Sequence, residues 1–288
     1  MKGSSRQAKI KEAQDKIEDY VKELAEEMRN GVSNRLLEYL NFSAQFHHYS
    51  ISNQMLIWIQ RPTATHVAGM RTWNKVGRKV NQGEKGIMIL APIIYNKKTK
   101  HKEPADQEDE PDKAIYFRSV YVFDVSQTTG EPIPSGIEAT GNATKWLTAL
   151  HGVIQQQGIS LVKAHDENTQ VILGNAQGIS TGGQIIIRGD MTEADEMRTL
   201  VHELAHELLH QNSDPKPPKA IRETEADATA YVVLRHFELH CNASDYLLLY
   251  DSNADILMSR LKAIHATAAQ IIDGIDHEVD DTSQESVA

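Results

Sequence analysis

Residues Thr199 to Gln211 read TLVHELAHELLHQ. Leu200, Val201, Leu204, Ala205, Leu208 and Leu209 recur at the spacing of a buried helical face, so the segment is expected to be a helix. On that helix His202 and His206 stand one turn apart on one side and can present two imidazole nitrogens to a single ion, with Glu203 beside them. A buried helix seldom carries two histidines and a glutamate without partners. Zinc chemistry gives this spacing a purpose: the ion lowers the pKa of its water toward ~7, and a neighbouring carboxylate, Glu203, takes the proton as water attacks a carbonyl.

A third protein ligand has to come from another segment. Arg222-Glu223-Thr224-Glu225-Ala226-Asp227 follows shortly, in a second helical stretch on which Glu223 and Asp227 share a face. Glu223 is therefore the expected third ligand. Asp227 is the expected carboxylate that holds the outer N–H of a ligating imidazole. Glu225, about 200° round the helix from Glu223, points elsewhere and is the fallback ligand. The bland alternative, two ordinary helix histidines matched by chance, is weakened by the apolar flanks and the acidic helix that follows. His236-Phe237-Glu238-Leu239-His240 also spaces two histidines at i and i+4, but Phe237 occupies the place of a general base, so these are read as histidines near a helix end. His210, one turn past His206, is placed either at the rim of the metal pocket or at the surface.

Around this centre the chain of 288 residues is long enough for two domains of ordinary size. Charge divides unevenly along it. Residues 1 to 100 hold 17 Lys+Arg against 9 Asp+Glu, or +8, which leaves 13 against 31, or −18, for the rest. A whole-chain charge of −10 argues against an indiscriminate nucleic-acid binder, while the basic first half leaves phosphate contacts open there. The single cysteine excludes an intramolecular disulfide framework and a cysteine-based zinc site. The charged N-terminal stretch lacks the apolar core of a secretory signal, and no apolar run reaches the ~20 residues that span a bilayer, so the expectation is a cytoplasmic protein without membrane partners.

The apolar stripe Ile10, Ala13, Ile17, Val21, Leu24, Met28 predicts one long helix over Arg6 to Asn30. Further helices are expected over Asn34 to Phe46 and from Ser52 to just before Pro62. The β-rich runs Ile87 to Tyr95 and Ala114 to Val125 should pair, with the acidic insertion at 103 to 112 forming a solvated loop between them. Residues 126 to 142, rich in Thr, Gly and Pro, suggest a linker. A helix at Ala143 to Gln157, strands at Ile159 to Lys163 and Gln184 to Ile187, the motif helix, and helical pattern from Ile221 to about Gly274 complete the second half. The fold class is α+β with two domains, over 1–128 and 143–275, joined by a linker at 129–142 and followed by a disordered acidic tail at 276–288.

Arg61, Arg71, Lys75, Arg78, Lys79 and Lys85 face a single acid, Glu84, and are interleaved with Trp58, His66 and Trp73. Cations tracking phosphates and flat rings stacking on bases suit single-stranded nucleic acid. Trp58, on an apolar helix, is read as core. Trp73 is left open as a stacking platform.

Tyr49-Ser50-Ile51-Ser52-Asn53-Gln54, Gln60-Arg61-Pro62, Trp73, Gly77-Arg78, Lys85-Gly86 and Val122-Phe123-Asp124-Val125-Ser126-Gln127 resemble the N-terminal domain of ArdC antirestriction proteins. The second half, through His202-Glu203-Leu204-Ala205-His206 and Arg222 to Ala226, resembles the zincin-like, gluzincin-type metallopeptidase domain related to the ImmA/IrrE peptidases. The resemblance implies a single-stranded-DNA-binding domain fused to a zinc site, in a protein of a mobile element that shields entering DNA. It also implies a protein substrate if the site hydrolyses peptides. Two alternatives stand beside it: an ImmA-like protease that cleaves a repressor, and a DNA-binding protein whose zinc is structural. Glu203 favours chemistry, because a structural site needs no general base.

Overall fold

The structure, a computed structural model, describes residues 2–29, 34–96, 113–131, 143–165, 171–174, 176–239 and 254–285. Its helices are α1 (Lys2–Arg29), α2 (Asn34–Ser43), α3 (Ile51–Gln60), α4 (Met70–Lys75), α5 (Ala143–Gln156), α6 (Glu193–His210), α7 (Lys219–His236) and α8 (Ala254–Glu285). Its strands are β1 (Val67–Ala68), β2 (Arg78–Val80), β3 (Ile87–Asn96), β4 (Lys113–Asp124), β5 (Thr128–Gly130), β6 (Ser160–Ala164), β7 (Gly178–Ser180) and β8 (Gln184–Arg188). Two compact units emerge: Met1–Tyr20 with Ser52–Ile133, and Val21–Ile51 with Pro134–Ala288. The second unit thus includes residues 21–51, which the sequence reading counts with the N-terminal domain. The α+β class is as expected. No helix among the described residues is long and apolar enough to cross a membrane.

In the first unit β3 and β4 form a long antiparallel ladder running from Ile87↔Val122 to Asn96↔Lys113, the pairing expected from their apolar runs. The acidic insertion between them lies outside the described residues. β1 pairs with the far end of β4, which leaves β3 at a sheet edge. An unpaired edge invites another strand. Here α3 covers it with side-chain amides: Asn53 Nδ2 donates to the Leu90 carbonyl and Asn53 Oδ1 accepts from the Leu90 N–H, both at 2.9 Å. Gln60, seven residues along the same helix, repeats the exchange with Met88 at 2.9 and 3.0 Å.

The stretch expected to be linker starts inside this unit. Val125–Gln127 forms a 3₁₀ turn and β5 pairs antiparallel with β2, and the side chain of Arg78, in β2, reaches across to β5. Its Nε donates to Thr128 Oγ1 at 2.8 Å, its Nη2 to the Thr128 carbonyl at 3.1 Å, and its Nη1 to the carbonyls of Gly130 and Glu131. The remainder of the expected linker, residues 132–142, lies outside the described residues.

In the second unit β8 is central, parallel to β6 and antiparallel to β7. Ile185, Ile186 and Ile187 are all buried, the signature of a strand covered on both faces. Helices α5, α6 and α8 pack together, and Gly274 lets α8 approach α5: a Cβ there would lie 3.1 Å from a Val153 methyl. The tail expected to be disordered from 276 is instead the end of α8, which runs through Glu285. Its apolar stripe continues past Gly274 into buried Ile275 and Val279, one turn apart, and that burial holds the acidic end in the helix.

Candidate metal centre

α6 starts at Thr192, whose hydroxyl accepts from the Asp195 N–H at 3.2 Å, with Glu193, Asp195 and Glu196 in the first turn where the helix dipole favours acids. Two turns further on, His202 and His206 project to the same side with their Nε2 atoms 3.1 Å apart. α7 delivers Glu223, whose Oε2 lies 3.6 Å from His202 Nε2 and 3.5 Å from His206 Nε2. A point equidistant from all three atoms is about 2 Å from each, which matches the ~2.0–2.2 Å of zinc bonds to imidazole and carboxylate. The donor set therefore fits a divalent ion without rearrangement.

The outer nitrogens are equally placed. Asp227 Oδ1 stands 2.8 Å from His202 Nδ1, at contact distance although the ring is not aligned for a full hydrogen bond. His206 Nδ1 meets His210 Nδ1 at 3.1 Å, and His210 Nε2 meets Glu225 Oε2 at 2.9 Å. Glu225 Oε1 in turn accepts from Arg260 at 2.8 Å. One tautomer set satisfies the whole chain: with His206 Nε2 facing the ion, its Nδ1–H donates to His210, whose Nε2–H donates to Glu225. Sequence reasoning left His210 undecided and held Glu225 as a fallback ligand. Their spacing was informative, since His210 is one turn past His206, but Arg260 comes from α8 and no local pattern announces it.

Glu203 is buried and presses on β7. A Cβ added to Gly178 would come within 3.0 Å of Glu203 Cγ and 3.1 Å of its Oε1, so the strand can pass only because residue 178 lacks a side chain. Burial pushes the Glu203 carboxyl up, and the imidazoles of His202 and His206 oppose that. Hydrogen bonds from His202 and His206 hold the Glu223 carboxyl far below the usual carboxylate range. For His202, burial pulls downward but Asp227 and Glu223 prevail and raise it to about 9. Glu207 fixes the β7–β8 turn: it accepts from Ser180 Oγ at 2.6 Å and from the N–H groups of Gly182 and Gly183 at 2.9 Å each. A cleft of about 310 Å³ opens onto the three candidate donor atoms between β7 and the basic side chains of Lys216, Lys219 and Arg222.

The basic candidates of the first unit divide. Arg71, Lys75, Lys79 and Lys85 are exposed. Arg61 is half-buried and donates to Ser126 Oγ at 3.0 Å. Arg78 spends its guanidinium on β5, as described, and Trp73 is buried with its indole N–H on the Phe123 carbonyl at 2.8 Å, so neither presents the group that a nucleic acid would use. Exposed rings occur instead at Tyr116, Phe117 and Tyr121 of β4, which sequence reading took only as strand residues. The end of β4 explains the run Val122 to Gln127: Asp124 caps the 3₁₀ turn, Gln127 Oε1 answers at the Asp124 N–H, and the motif is a structural clasp.

The paired-histidine helix, the carboxylate helix and the three-stranded sheet give the second unit the framework of a metallopeptidase-like domain. In agreement, the family model for the IrrE N-terminal-like domain, a peptidase family, matches residues 154–247, and that for the N-terminal domain of the anti-restriction factor ArdC matches residues 8–123. The chain thus joins a segment similar to the ArdC N-terminal domain to a segment similar to the IrrE N-terminal-like domain. It is 26% identical over 289 aligned positions to an uncharacterized protein of Bacillus anthracis, covering 87% of this chain and 49% of that protein, so it spans about half the relative's length. Among solved structures it is similar to the antirestriction ArdC protein of plasmid R388. For the metal-free form the TM-score is 0.46 at 17% identity, over 81% of this chain and 86% of that one. For the Mn(II)-bound form the TM-score is 0.44 at 16% identity, over 84% and 97%.

Proposed function

We propose that this chain is a cytoplasmic antirestriction protein of a mobile genetic element that binds single-stranded DNA through its first unit and hydrolyses a protein substrate at a zinc site in its second. The observation that carries the hydrolytic half is the triangle of His202, His206 and Glu223 donor atoms with Glu203 beside it. When bound, a divalent ion supplies Lewis-acid chemistry, acidifying water and polarising a carbonyl. Glu203 then accepts the proton of the attacking water and returns it to the leaving amine, a role its burial favours by bringing its pKa nearer neutrality. Asp227 and His210 hold the two imidazoles in the tautomer that leaves Nε2 unprotonated. Gly178 and Glu207 keep β7 along the cleft, where an extended peptide can lie.

The DNA-binding half rests on the exposed cations Arg71, Lys75, Lys79 and Lys85 together with the exposed rings on β4. Cations supply affinity that falls with salt, and rings supply stacking that does not depend on sequence. The decisive experiment is Glu203→Gln in the full chain. Zinc content should stay at the wild-type level while peptidase turnover on unfolded protein substrates falls by at least a hundredfold. Undiminished turnover, or loss of the zinc, would remove Glu203 from the role assigned to it.

A further inference from the structure

A second group of imidazoles and carboxylates lies in the second unit, apart from the HExxH site. Its centre is His47, in the turn after α2, only 7% exposed, with neither ring nitrogen hydrogen-bonded. An imidazole buried in that state leaves polar atoms that neither water nor protein satisfies, at a cost in stability. The groups around it are metal-binding types. The His236 ring is edge-on at 4.6 Å between centroids, and the His48 ring lies at 3.8 Å. Asp273 Oδ1 is 3.5 Å from His47 Nε2 and 3.8 Å from His48 Nδ1, while Asp276 Oδ2 is 3.8 Å from His236 Nε2. Asp273 and Asp276 are three residues apart on α8 and so share a face.

The state of His236 is constrained by its other nitrogen. His236 Nδ1 is 3.0 Å from the Ala44 carbonyl oxygen, which can only accept, so Nδ1 carries the proton and Nε2 offers its lone pair whenever the ring is neutral. A backbone carbonyl on the outer nitrogen is the usual support of a ligating histidine. The plain alternative is a packing cluster in which carboxylates hydrogen-bond to imidazoles. The separations of 3.5–3.8 Å are too long for that, and both His47 nitrogens would remain unmatched.

We propose that His47, His236 and Asp276 form a second site for a divalent transition metal of the zinc class, with Asp273 and His48 at its rim. The donor atoms of the triad lie within 4.8 Å of one another, and those of His47, His48 and Asp273 do so as well. This spacing is wider than at the HExxH site. The two carboxylates sit on half-exposed side chains, so a χ1 change moves them toward the ion while buried His47 stays in place. Two neutral imidazoles and two carboxylates would balance a doubly charged ion. Such an ion ties the turn after α2 to the end of α7 and the middle of α8, and α7 is the helix that carries Glu223 and Asp227.

The test is metal stoichiometry on the full chain, stripped with chelator, loaded with excess Zn²⁺, desalted and measured by elemental analysis, with Co²⁺ absorption as a second readout. Wild type should hold two equivalents, His206→Gln one, the double variant Asp273→Asn/Asp276→Asn one, and the combination none. His236→Gln should repeat the result of the double variant, with far-UV circular dichroism checking that both remain folded. One equivalent in wild type that is lost in His206→Gln and kept in the double variant overturns the second site and leaves the HExxH site standing. The reverse pattern overturns the HExxH reading and supports the second site. Two equivalents persisting in both the double variant and His236→Gln also overturn the proposal.

Discussion

At the scale of single residues, Asp124 shows how one side chain can organise a chain segment. Its carboxylate is 1% exposed and accepts from Thr65 N at 2.8 Å, His66 N at 3.2 Å, Ser126 N at 2.9 Å and the Ser126 hydroxyl. Burial works to raise this carboxyl, yet the donors together win and its pKa is lowered. A carboxyl with a depressed native pKa stabilises the fold fully above its unfolded value of ~3.9, and that contribution disappears as pH falls through the native pKa. Asp124→Asn should therefore lower stability by roughly 2–3 kcal/mol at pH 7 and flatten the pH dependence of stability below pH 4, read from urea unfolding at a series of pH values. An equal loss at pH 7 and at pH 2 would mean the carboxylate charge has no part in it. Residues of this kind mark the limit of what a sequence shows. His202, Glu203 and His206 were legible because one helix sets their geometry. Arg78 and Trp73 looked like nucleic-acid contacts by composition, but tertiary partners, the β5 carbonyls and Phe123, decide what their polar atoms do.

At the scale of elements, the candidate ion site depends on a strand of three residues. β7 borders the cleft and is placed by Glu207 at its turn and by the missing side chain of Gly178 at its start. In Gly178→Ala the new methyl would meet Thr199 Cγ2 at 2.7 Å and Glu203 Cγ at 3.0 Å, so the strand or the Glu203 side chain must move. The expected cost is ~1–3 kcal/mol in stability. Turnover should drop at least tenfold with zinc content unchanged, since a displaced base costs rate while His202, His206 and Glu223 are untouched. Wild-type turnover in this variant would show that β7 does not position Glu203. Strands as short as β1, β2 and β7 carry too few residues for alternation to be visible, which is why the sequence reading passed over them while finding β3, β4, β6 and β8. α6 was legible from its stripe. The end of α8 was not, because its acidic composition outweighed Val279, a single apolar residue that packing renders decisive.

At the scale of the whole molecule, the uneven charge turns into a statement about what a nucleic acid would meet. A net −10 chain repels phosphate overall, so affinity for single strands has to come from local groups. Exposed Lys75, Lys79 and Lys85 and the β4 rings are the groups on offer, and they predict separable effects. Replacing the three lysines by glutamine should weaken single-strand binding and reduce the slope of log affinity against log salt by about 2, since each released counterion contributes ~0.7. Phe117→Ala with Tyr121→Ala should weaken binding by about tenfold or more per lost stack while leaving that slope unchanged, because stacking releases no counterions. Arg78 is unsuitable for such a test: its removal opens the β2–β5 pair, and a loss of binding would report a loss of structure. Filter binding or fluorescence anisotropy at four salt concentrations separates the two variants. If the lysine variant keeps the wild-type slope, those cations do not contact phosphate; if the aromatic variant keeps wild-type affinity, β4 is not where bases stack. Glu203→Gln, measured alongside, should match wild type in both quantities, since the proposed ion site and the proposed DNA surface lie in different units.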